Sequence, residues 1–492
     1  MSKGILSKLE LKEVWTLFEE ITQVPRPSKK EGKIGKWIKK WAKENSIECK
    51  EDDVGNLLLS KGPSKNCDTF PTLIIQGHMD MVCQKEADYD IDFENDPLEV
   101  ETDGILVSAK GTSLGADNGI GLAIALALLR SEEIQHGPLE VLITVDEETG
   151  LTGAFNIKKG FFTGKYLLNL DSEILGEITI GSAGGGDVEL KIPVKGEIKE
   201  KSRAFRIKIN GLKGGHSGID IDKTRLNAIK IGVDALNTLR IDLDTITEPF
   251  IFINSIKGGS VHNAIAREFE CIFLVPEEYY KDVKKHLKSW VRYVKFQMKE
   301  MEPNAKIILT EVKENKAFSA SDSENIVSAL VDIYHGIIRN NQEIEGLVQT
   351  SNNLAKVGTF ENYVEISVST RSSVDEELQQ ARDEIKVIGE GLGGSVELSK
   401  AYPGWNPNLD SSFLKIVKEK YEEVYGKEIK LRAIHAGLEC GLFMGVEPEL
   451  QVSSIGPTIK NVHSPDESVD IESVKTIWEI VKLIVNNMKD LT

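Results

Sequence analysis

The sequence predicts an α/β protein with a mostly parallel sheet, in a main domain that a second domain interrupts. Short apolar segments at the start of residues 73–82, at 139–145 and at 166–170 are separated by helical segments, which is the pattern of βαβ units. Polar residues follow each of these segments, at the strand ends where open α/β sheets bind ligands. At 492 residues the chain is also too long for one hydrophobic core.

Taken in order, the chain begins with two amphipathic helical segments and continues with the βαβ pattern. The glycine-rich stretch GSAGGG at residues 181–186 reads as a hinge. Beyond it, strands and long amphipathic helices occur in two rounds, and the helix–strand pattern of the first part returns near residue 412. We therefore predict a main domain at 1–186 and 398–492, interrupted by an inserted α+β domain at 187–397 with two strand–helix lobes.

Composition excludes several classes of protein. The chain is 40% hydrophobic and 28% charged, with a net charge of −18. Such an acidic chain is unsuited to sequence-independent nucleic-acid binding or to docking on anionic membranes. Its longest apolar run, residues 120–129, is too short to cross a bilayer. Five cysteines without a CxxC pair indicate a reducing compartment, and the N-terminus has no secretory signal, so we expect a cytoplasmic protein.

His78 and Asp80 are the first candidate site residues. They lie two positions apart in GHMDMV, on a short turn after the strand predicted at the start of residues 73–82. Side chains at this spacing point the same way, so the imidazole can bind a metal while the carboxylate holds its other nitrogen. A strand-end turn with two solvated polar residues is the alternative for this motif taken alone.

Further donors follow other predicted elements. Asp117 precedes a buried helix and could equally be its N-cap. Glu147 and Glu148 close one apolar strand, Asp171 closes another, and His463 lies in a polar loop. Without Glu147, these residues and His78 offer two imidazoles and three carboxylates, a natural set for two divalent cations: Zn²⁺, with Mn²⁺ and Co²⁺ as further options. Glu147, left unligated, is the candidate general base for a water between the metals.

Five ordered motifs carry a family resemblance: GHMDMV, GTSLGADNGIGLA, DEETG, LNLDSE and NVHSPDE. In order and context they resemble the dinuclear-zinc peptidases that include carnosinases, carboxypeptidase G-type enzymes and peptidase T. The chain is most similar to the branch of bacterial aminoacyl-histidine dipeptidases, which cleave Xaa-His dipeptides such as carnosine. The resemblance extends over nearly the whole chain.

The resemblance implies roles for the same metal-site residues. Asp117 would bridge two metals, and its peptide bond to Asn118 would be cis. Asp171 would bind the same metal as His78, and Asp80 would support His78. Glu148 would bind the other metal together with His463. Glu147 would be the general base.

The resemblance also makes the insert a lid that carries substrate contacts. His216 in GGHSG is a candidate for the histidine that stabilises the oxyanion, although a glycine-flanked turn histidine is an equal alternative. Asn263 and Arg371 are candidate substrate contacts, since arginine suits a free C-terminal carboxylate. A solvated arginine at a strand end is an equal alternative for Arg371. Relatives often carry a Gly-Gly-Thr-Asp-like segment where this chain has HAGLECG, so His435 and Glu439 are further candidate contacts in a segment that departs from that pattern.

These observations predict a metal-dependent dipeptidase that acts on small peptides. A deacylase or aminopeptidase on the same scaffold is one alternative, and a zinc-binding protein without catalysis is another. Relatives with a short lid borrow the oxyanion histidine from a partner subunit. The large insert here favours His216 acting in its own chain, so both a monomer and a homodimer stay open.

Overall fold

The computed structural model describes residues 4–243, 250–344 and 346–491. Two compact units make up the chain. Unit 1 comprises Met1–Ser182, Trp405–Ala433 and Leu438–Thr492, and unit 2 comprises Ala183–Gly404 and Ile434–Gly437. The domain boundaries drawn from the sequence stay a prediction.

The helices and strands alternate along the chain as follows. Two 3₁₀ helices span Leu6–Lys8 and Met488–Leu491. The α-helices are α1 (Lys12–Thr22), α2 (Gly32–Glu44), α3 (Ala116–Arg130), α4 (Glu147–Gly150), α5 (Thr152–Asn156), α6 (Ala228–Asp242), α7 (Tyr280–Met298), α8 (Ala320–Asp332), α9 (Asp375–Gly391), α10 (Ser412–Tyr425), α11 (Glu439–Val446) and α12 (Ile471–Asn486). The strands are β1 (Glu48–Glu51), β2 (Leu57–Lys61), β3 (Leu73–His78), β4 (Val100–Thr102), β5 (Leu106–Ala109), β6 (Leu139–Thr144), β7 (Tyr166–Asn169), β8 (Glu177–Ser182), β9 (Gly184–Pro193), β10 (Gly196–Ile198), β11 (Ser202–Asn210), β12 (Gly215–His216), β13 (Phe252–Gly258), β14 (Ala264–Ile265), β15 (Phe269–Pro276), β16 (Lys306–Val312), β17 (Lys316–Phe318), β18 (Gly336–Asn340), β19 (Val348–Thr359), β20 (Tyr363–Ser372), β21 (Ser395–Leu398), β22 (Lys430–Ile434), β23 (Gln451–Ser454), β24 (Ile459–Lys460) and β25 (Ser468–Asp470).

Unit 1 is built on an eight-stranded sheet with the order β1-β2-β6-β3-β7-β23-β8-β22. The central strands β6, β3, β7 and β23 are parallel to one another. The pairs β1–β2, β2–β6 and β23–β8 are antiparallel. The sheet is therefore mixed, and the expectation of a mostly parallel sheet applies only to its centre. At the β1 edge the physical reason is chain length, because the few residues between β1 and β2 can close a hairpin but not a parallel crossover.

Burial explains the parallel centre. Every residue of β3 and of β6 is buried, as expected for strands covered on both faces. Helix α3 is apolar on all sides, and nearly all of its residues from Gly119 to Leu129 are at most 3% exposed. Its regular helical backbone begins after Asp117 and Asn118, whose φ/ψ angles are not helical. The peptide bond between these two residues is cis, as the resemblance implied.

A second sheet of unit 1 has the order β24-β25-β5-β4 and positions the loop that contains His463. β24 and β25 form an antiparallel pair, with Ile459 opposite Val469 and Lys460 opposite Ser468. Residues 461–467 connect these two strands and contain His463.

Unit 2 contains a nine-stranded sheet, in which eight strands follow the order β16-β11-β15-β13-β19-β20-β9-β21 and β18 pairs with β19. Its apolar residues and those of helices α6, α7 and α8 form one core. A strand follows α8 closely, since α8 ends at Asp332 and β18 begins at Gly336. The φ angle of Gly336 is +121°, a conformation that suits glycine and not a continuing helix.

Among the described residues, no helix is both long enough and apolar enough to span a bilayer.

Candidate functional site

The carboxyl ends of three neighbouring strands in unit 1 position the predicted metal-binding side chains. His78 is the last residue of β3, Glu147 and Glu148 open α4 shortly after β6, and Asp171 follows β7 by two residues. Because β3 is parallel to both β6 and β7, these strand ends meet at one edge of the sheet.

Two groups of donor atoms lie at this edge and share Asp117. One contains His78, Asp117 and Asp171, and the other contains Asp117, Glu148 and His463; the donor atoms within each group lie within 4.8 Å of one another. His78 Nε2 is 3.0 Å from Asp117 Oδ1, and His463 Nε2 is 3.3 Å from Asp117 Oδ2. One carboxylate therefore faces both imidazoles, each through a different oxygen.

Two buried oxygens show that these groups fit metal ions. Glu148 Oε1 and Asp171 Oδ1 are buried and have no hydrogen-bond partner among the described residues. Asp171 Oδ1 lies 3.3 Å from His78 Nε2, but not in hydrogen-bond geometry. A buried carboxylate oxygen without a donor is costly, and a cation bound at each group would remove that cost. Two imidazoles and three carboxylates are donors that divalent cations accept.

Burial and neighbouring charges shift the pKa values of several groups at the site. Burial raises the pKa of Asp171 to about 6; His78 opposes this shift, and the Asp117 and Glu148 carboxylates add to it. Hydrogen bonds to Asp117 and Glu148 raise the pKa of His463 to about 11. Burial also raises the pKa of Glu147 well above its ordinary value. Burial opposes the shift at Asp117, but hydrogen bonds with His463 and His78 lower its pKa. Asp171 and Glu147 therefore bind protons more strongly than usual because carboxylates lie close together, while the two imidazoles stabilise the charge of Asp117.

Asp80 connects His78 to the turn that carries Glu147 and Glu148. Asp80 Oδ1 lies 3.3 Å from His78 Nδ1 and accepts the Glu147 backbone N–H at 3.0 Å. Asp80 Oδ2 accepts the Glu148 backbone N–H at 3.3 Å and the Ser28 hydroxyl at 2.8 Å. With a carboxylate at Nδ1, the proton of neutral His78 lies on that nitrogen and Nε2 keeps its lone pair for a metal.

Glu467 fixes the backbone segment that carries Asp117. Its carboxylate accepts the backbone N–H groups of Leu114 at 2.8 Å, Gly115 at 2.9 Å and Ala116 at 2.8 Å, and that of Asp117 at 3.3 Å. Glu467 is 2% exposed. It belongs to the loop between β24 and β25 that also contains His463, so one buried side chain joins the backbone segments of two predicted ligands.

Arg26 holds the same segment from another direction. Its guanidinium donates to the carbonyl oxygens of Met79 at 3.3 Å and Asp80 at 2.7 Å, and also to that of Gly115. The side chain is 1% exposed. Arg26 therefore ties the turn after His78 to the loop before Asp117.

The sequence analysis missed Arg26, Ser28 and Glu467. Glu467 is part of the quoted motif NVHSPDE, but a glutamate in a polar loop has no local feature that predicts four backbone donors. Arg26 and Ser28 lie between the first two helices, in a stretch whose proline content indicated only a helix stop. Their partners are distant in sequence, so only the tertiary structure reveals them.

Unit 2 brings together several of the predicted substrate contacts. Arg371 on β20 is paired with Ser351 on β19, and the Ser351 hydroxyl lies 2.7 Å from His435 Nε2. His435 is 7% exposed, and burial lowers its pKa to about 3, with the positive charge of Arg371 adding to the shift. The backbone carbonyl of Asn263 accepts the N–H of Ser217, the residue after His216, at 2.8 Å.

Arg371 is a buried cation whose hydrogen bonds go to hydroxyl groups. It is 8% exposed, and it donates to Ser217 Oγ at 3.3 Å and to the Tyr402 hydroxyl at 3.1 Å. Within the part of the chain that the structure describes, no carboxylate lies within 4.0 Å of its guanidinium nitrogens. A buried guanidinium without a counter-charge suits an anionic ligand.

Glu439 belongs to unit 1. Its Oε2 accepts hydrogen bonds from Gln76 Nε2 at 2.7 Å and Thr144 Oγ1 at 2.8 Å. Burial raises the pKa of Glu439 to about 8; the charge of His78 opposes this shift and that of Asp171 adds to it. Within unit 1, Glu439 therefore lies near the predicted metal ligands His78 and Asp171, and its predicted substrate contact stays a prediction.

We expect Glu467→Gln to weaken divalent-metal binding about 10- to 100-fold, as is usual when a side chain that supports ligands is changed. The Gln amide would turn an N–H₂ group towards backbone N–H donors that now bond to a carboxylate. Titration of metal-depleted protein followed by calorimetry measures the change. Glu472→Gln, on the exposed first turn of α12, is the matched control; equal affinities for both variants would contradict the role of Glu467.

Comparison with known proteins places this chain in a family. The model of peptidase family M20/M25/M40 matches residues 74–487. The cytosol non-specific dipeptidase of Escherichia coli K12 is 37% identical over 478 residues, which cover 97% of each chain. The crystal structure of aminoacylhistidine dipeptidase from Vibrio alginolyticus matches with a TM-score of 0.90 and 37% identity, over 99% of each chain.

A more distant structure shares the fold. Aminopeptidase PepT from Bacillus cereus matches with a TM-score of 0.56 and 19% identity, over 98% of this chain and 99% of that one. The family match and the near-complete alignment with the Escherichia coli relative agree with the five ordered motifs of the sequence. This chain belongs to peptidase family M20/M25/M40.

Proposed function

We propose that this peptidase hydrolyses dipeptides of the Xaa-His type, such as carnosine, with two Zn²⁺ ions bound at the shared Asp117 carboxylate. The observation that carries the proposal is the pair of donor groups joined by Asp117, with Glu147 beside them. The name of the Vibrio alginolyticus relative supports the Xaa-His preference. The name of the Escherichia coli relative favours a second candidate, a dipeptidase of broad specificity.

The proposed metal ligands form two sets. His78, Asp117 and Asp171 would hold one ion, and Asp117, Glu148 and His463 would hold the other, with Asp80 behind His78. Mn²⁺ and Co²⁺ suit the same nitrogen and oxygen donors. When bound, such a pair of cations lowers the pKa of a shared water and polarises the scissile carbonyl.

Glu147 is the proposed general base. One of its carboxylate oxygens lies within 4.8 Å of donor atoms of His78 and Glu148. The Asp80 carboxylate holds its backbone N–H, so the start of α4 is fixed relative to His78. Glu147 would take a proton from water as the resulting hydroxide adds to the peptide carbonyl carbon. The C–N bond then breaks, and Glu147 returns that proton to the leaving amine, which yields a free amine and a carboxylic acid; the acid proton then passes to the amine or to solvent.

Arg371 is the proposed anchor for the C-terminal carboxylate of the substrate. Its buried guanidinium has hydroxyl partners and would gain a full counter-charge from such a ligand. We propose that Asn263 and His435 also contact the substrate. Glu439, in unit 1, is a further proposed substrate contact. His216 is proposed to donate a hydrogen bond to the carbonyl oxygen as negative charge develops there.

Unit 2 is proposed to act as the lid of the enzyme, with two strand–helix lobes in its sheet. We propose a cytoplasmic location, in keeping with the name of the Escherichia coli relative. We propose that the enzyme binds small peptides and neither nucleic acids nor membranes. For its assembly, both a monomer and a homodimer are proposed.

A substrate panel tests this function. We expect zinc-loaded enzyme to cleave carnosine and alanyl-histidine faster, by kcat/KM, than alanyl-leucine, and to leave N-acetyl-histidine intact. Chelation should abolish turnover, and Zn²⁺ should restore it. Equal rates for the dipeptides would favour the broad dipeptidase, and cleavage of N-acetyl-histidine alone would favour a deacylase. Absence of turnover in metal-loaded enzyme would contradict both dipeptidase proposals.

We expect Glu147→Gln to retain both metal ions and to lower kcat about 10²- to 10⁴-fold, since the amide cannot accept the proton from water. Metal analysis together with steady-state kinetics checks both parts. Glu133→Gln changes an exposed glutamate of the same unit and is the matched control. Near-normal turnover of Glu147→Gln would remove Glu147 from the role of base.

We expect Arg371→Met to cost about 2–5 kcal/mol in transition-state binding, which is at least roughly 30-fold in kcat/KM. The loss should fall on dipeptides with a free C-terminal carboxylate, so the preference over the corresponding dipeptide amides should disappear. Arg203→Met removes an exposed arginine of unit 2 and serves as the control. If the preference for free carboxylates survives in Arg371→Met, Arg371 is not the anchor.

A further inference from the structure

His216 lies in a tight turn that bonds to one specific nitrogen of its ring. β12 contains Gly215 and His216 and pairs with β14. The next residues fold back, so that His216 Nδ1 accepts the backbone N–H of Gly218 at 3.1 Å and that of Ile219 at 3.2 Å. A nitrogen that accepts two N–H groups carries no proton of its own.

The turn leaves little freedom for another arrangement. The His216 backbone N–H donates to Asp220 Oδ2 at 2.8 Å, and the Asp220 N–H returns to the His216 carbonyl at 3.1 Å. A Cβ atom at Gly218 would lie 2.0 Å from the His435 carbonyl oxygen, so only glycine allows this close approach within unit 2. The two amides are therefore held in place, and they act on the ring as a fixed pair of donors.

We infer that His216 is held as the neutral imidazole with its proton on Nε2, and that it acts as a hydrogen-bond donor and not as an acid or base. The role of this donor, a hydrogen bond to the developing oxyanion, rests on the proposed function. The tautomer itself follows from the hydrogen bonds of the turn. A proton on Nδ1 would face two N–H groups and break both hydrogen bonds.

The charged groups around His216 also keep the ring neutral. Burial lowers its pKa, the positive charges of Arg371 and His262 lower it further, and Asp220 opposes them. Asp220 does not reach Nδ1, because Oδ2 accepts the His216 backbone N–H and Oδ1 accepts Lys223 Nζ at 2.8 Å. A neutral imidazole that donates to an oxyanion is an established catalytic arrangement.

His78 shows the opposite arrangement at the same ring atom. Its Nδ1 faces the Asp80 carboxylate, so its proton belongs on Nδ1 and its Nε2 is free to bind a cation. His216 has backbone donors at Nδ1, so its Nε2 carries the proton and cannot bind a metal. The group that faces Nδ1 therefore distinguishes a proposed metal ligand from a proposed hydrogen-bond donor. The proton transfers to and from water and the leaving amine are then made by Glu147.

Nitrogen NMR of the whole zinc-loaded protein, with ¹⁵N-labelled histidine rings, tests the tautomer. His216→Gln identifies the His216 signals by difference. We expect protonated Nε2 and unprotonated Nδ1 at pH 7, with no change on acidification to pH about 6, near the ordinary histidine pKa. A proton on Nδ1, or on both nitrogens at pH 7, would overturn the inference while leaving dipeptide cleavage intact.

Two other histidines are internal references in the same spectrum. His335 Nδ1 accepts the Leu354 N–H at 3.3 Å, and burial lowers its pKa to about 4, so it should show the same tautomer as His216. His136 Nδ1 lies 2.6 Å from the Gly137 carbonyl oxygen and must carry a proton there, so it should show the opposite tautomer.

Kinetics with matched variants test the donor role. We expect His216→Asn to lower kcat about 10²- to 10³-fold with little change in KM, as for the loss of one oxyanion donor. His216→Gln places an amide N–H₂ near the position of Nε2 and should retain roughly tenfold more activity than His216→Asn. Equal losses in the two variants would overturn the donor role even if the tautomer is as inferred.

Discussion

The other groups of this site depend on one constraint, the close approach of carboxylates around Asp117. Asp117, Glu148 and Asp171 converge at one edge of the sheet of unit 1, where β3, β6 and β7 end. Like charges at this spacing repel, and burial raises the cost further. The imidazoles of His78 and His463 offset only part of that charge, which is why a pair of divalent cations fits these donors.

A set of buried hydrogen bonds holds these repelling groups in place. Asp80 joins His78 to the start of α4, Glu467 accepts the backbone donors before and at Asp117, and Arg26 ties the two loops together. Each of these side chains bonds at least partly to backbone groups. Positions set by backbone are fixed more firmly than those set by mobile side chains, and this suits a site that must hold its geometry in a proposed reaction cycle.

Histidine chemistry in this protein is decided by the atom that faces Nδ1. A carboxylate there favours a proton on Nδ1, and a pair of backbone amides excludes one. His78 and His216 show the two cases, each within its own unit. The motif GHMDMV places Asp80 two residues after His78, whereas nothing in GGHSG indicates which nitrogen of His216 can donate.

Sequence alone indicated the family, through the resemblance of its five ordered motifs. It also indicated the candidate donors, because polar residues at strand ends require only local patterns of apolar and polar residues. It also predicted the buried helix after Asn118 and the parallel centre of the main sheet. The antiparallel edges of that sheet, the strand at Gly336–Asn340 and the position of Glu439 beside Gln76 were decided by tertiary structure. So were the contacts of Glu467 and the ring orientation of His216, since a hydrogen bond between distant segments, or to a turn's own amides, depends on backbone geometry that residue order does not encode locally.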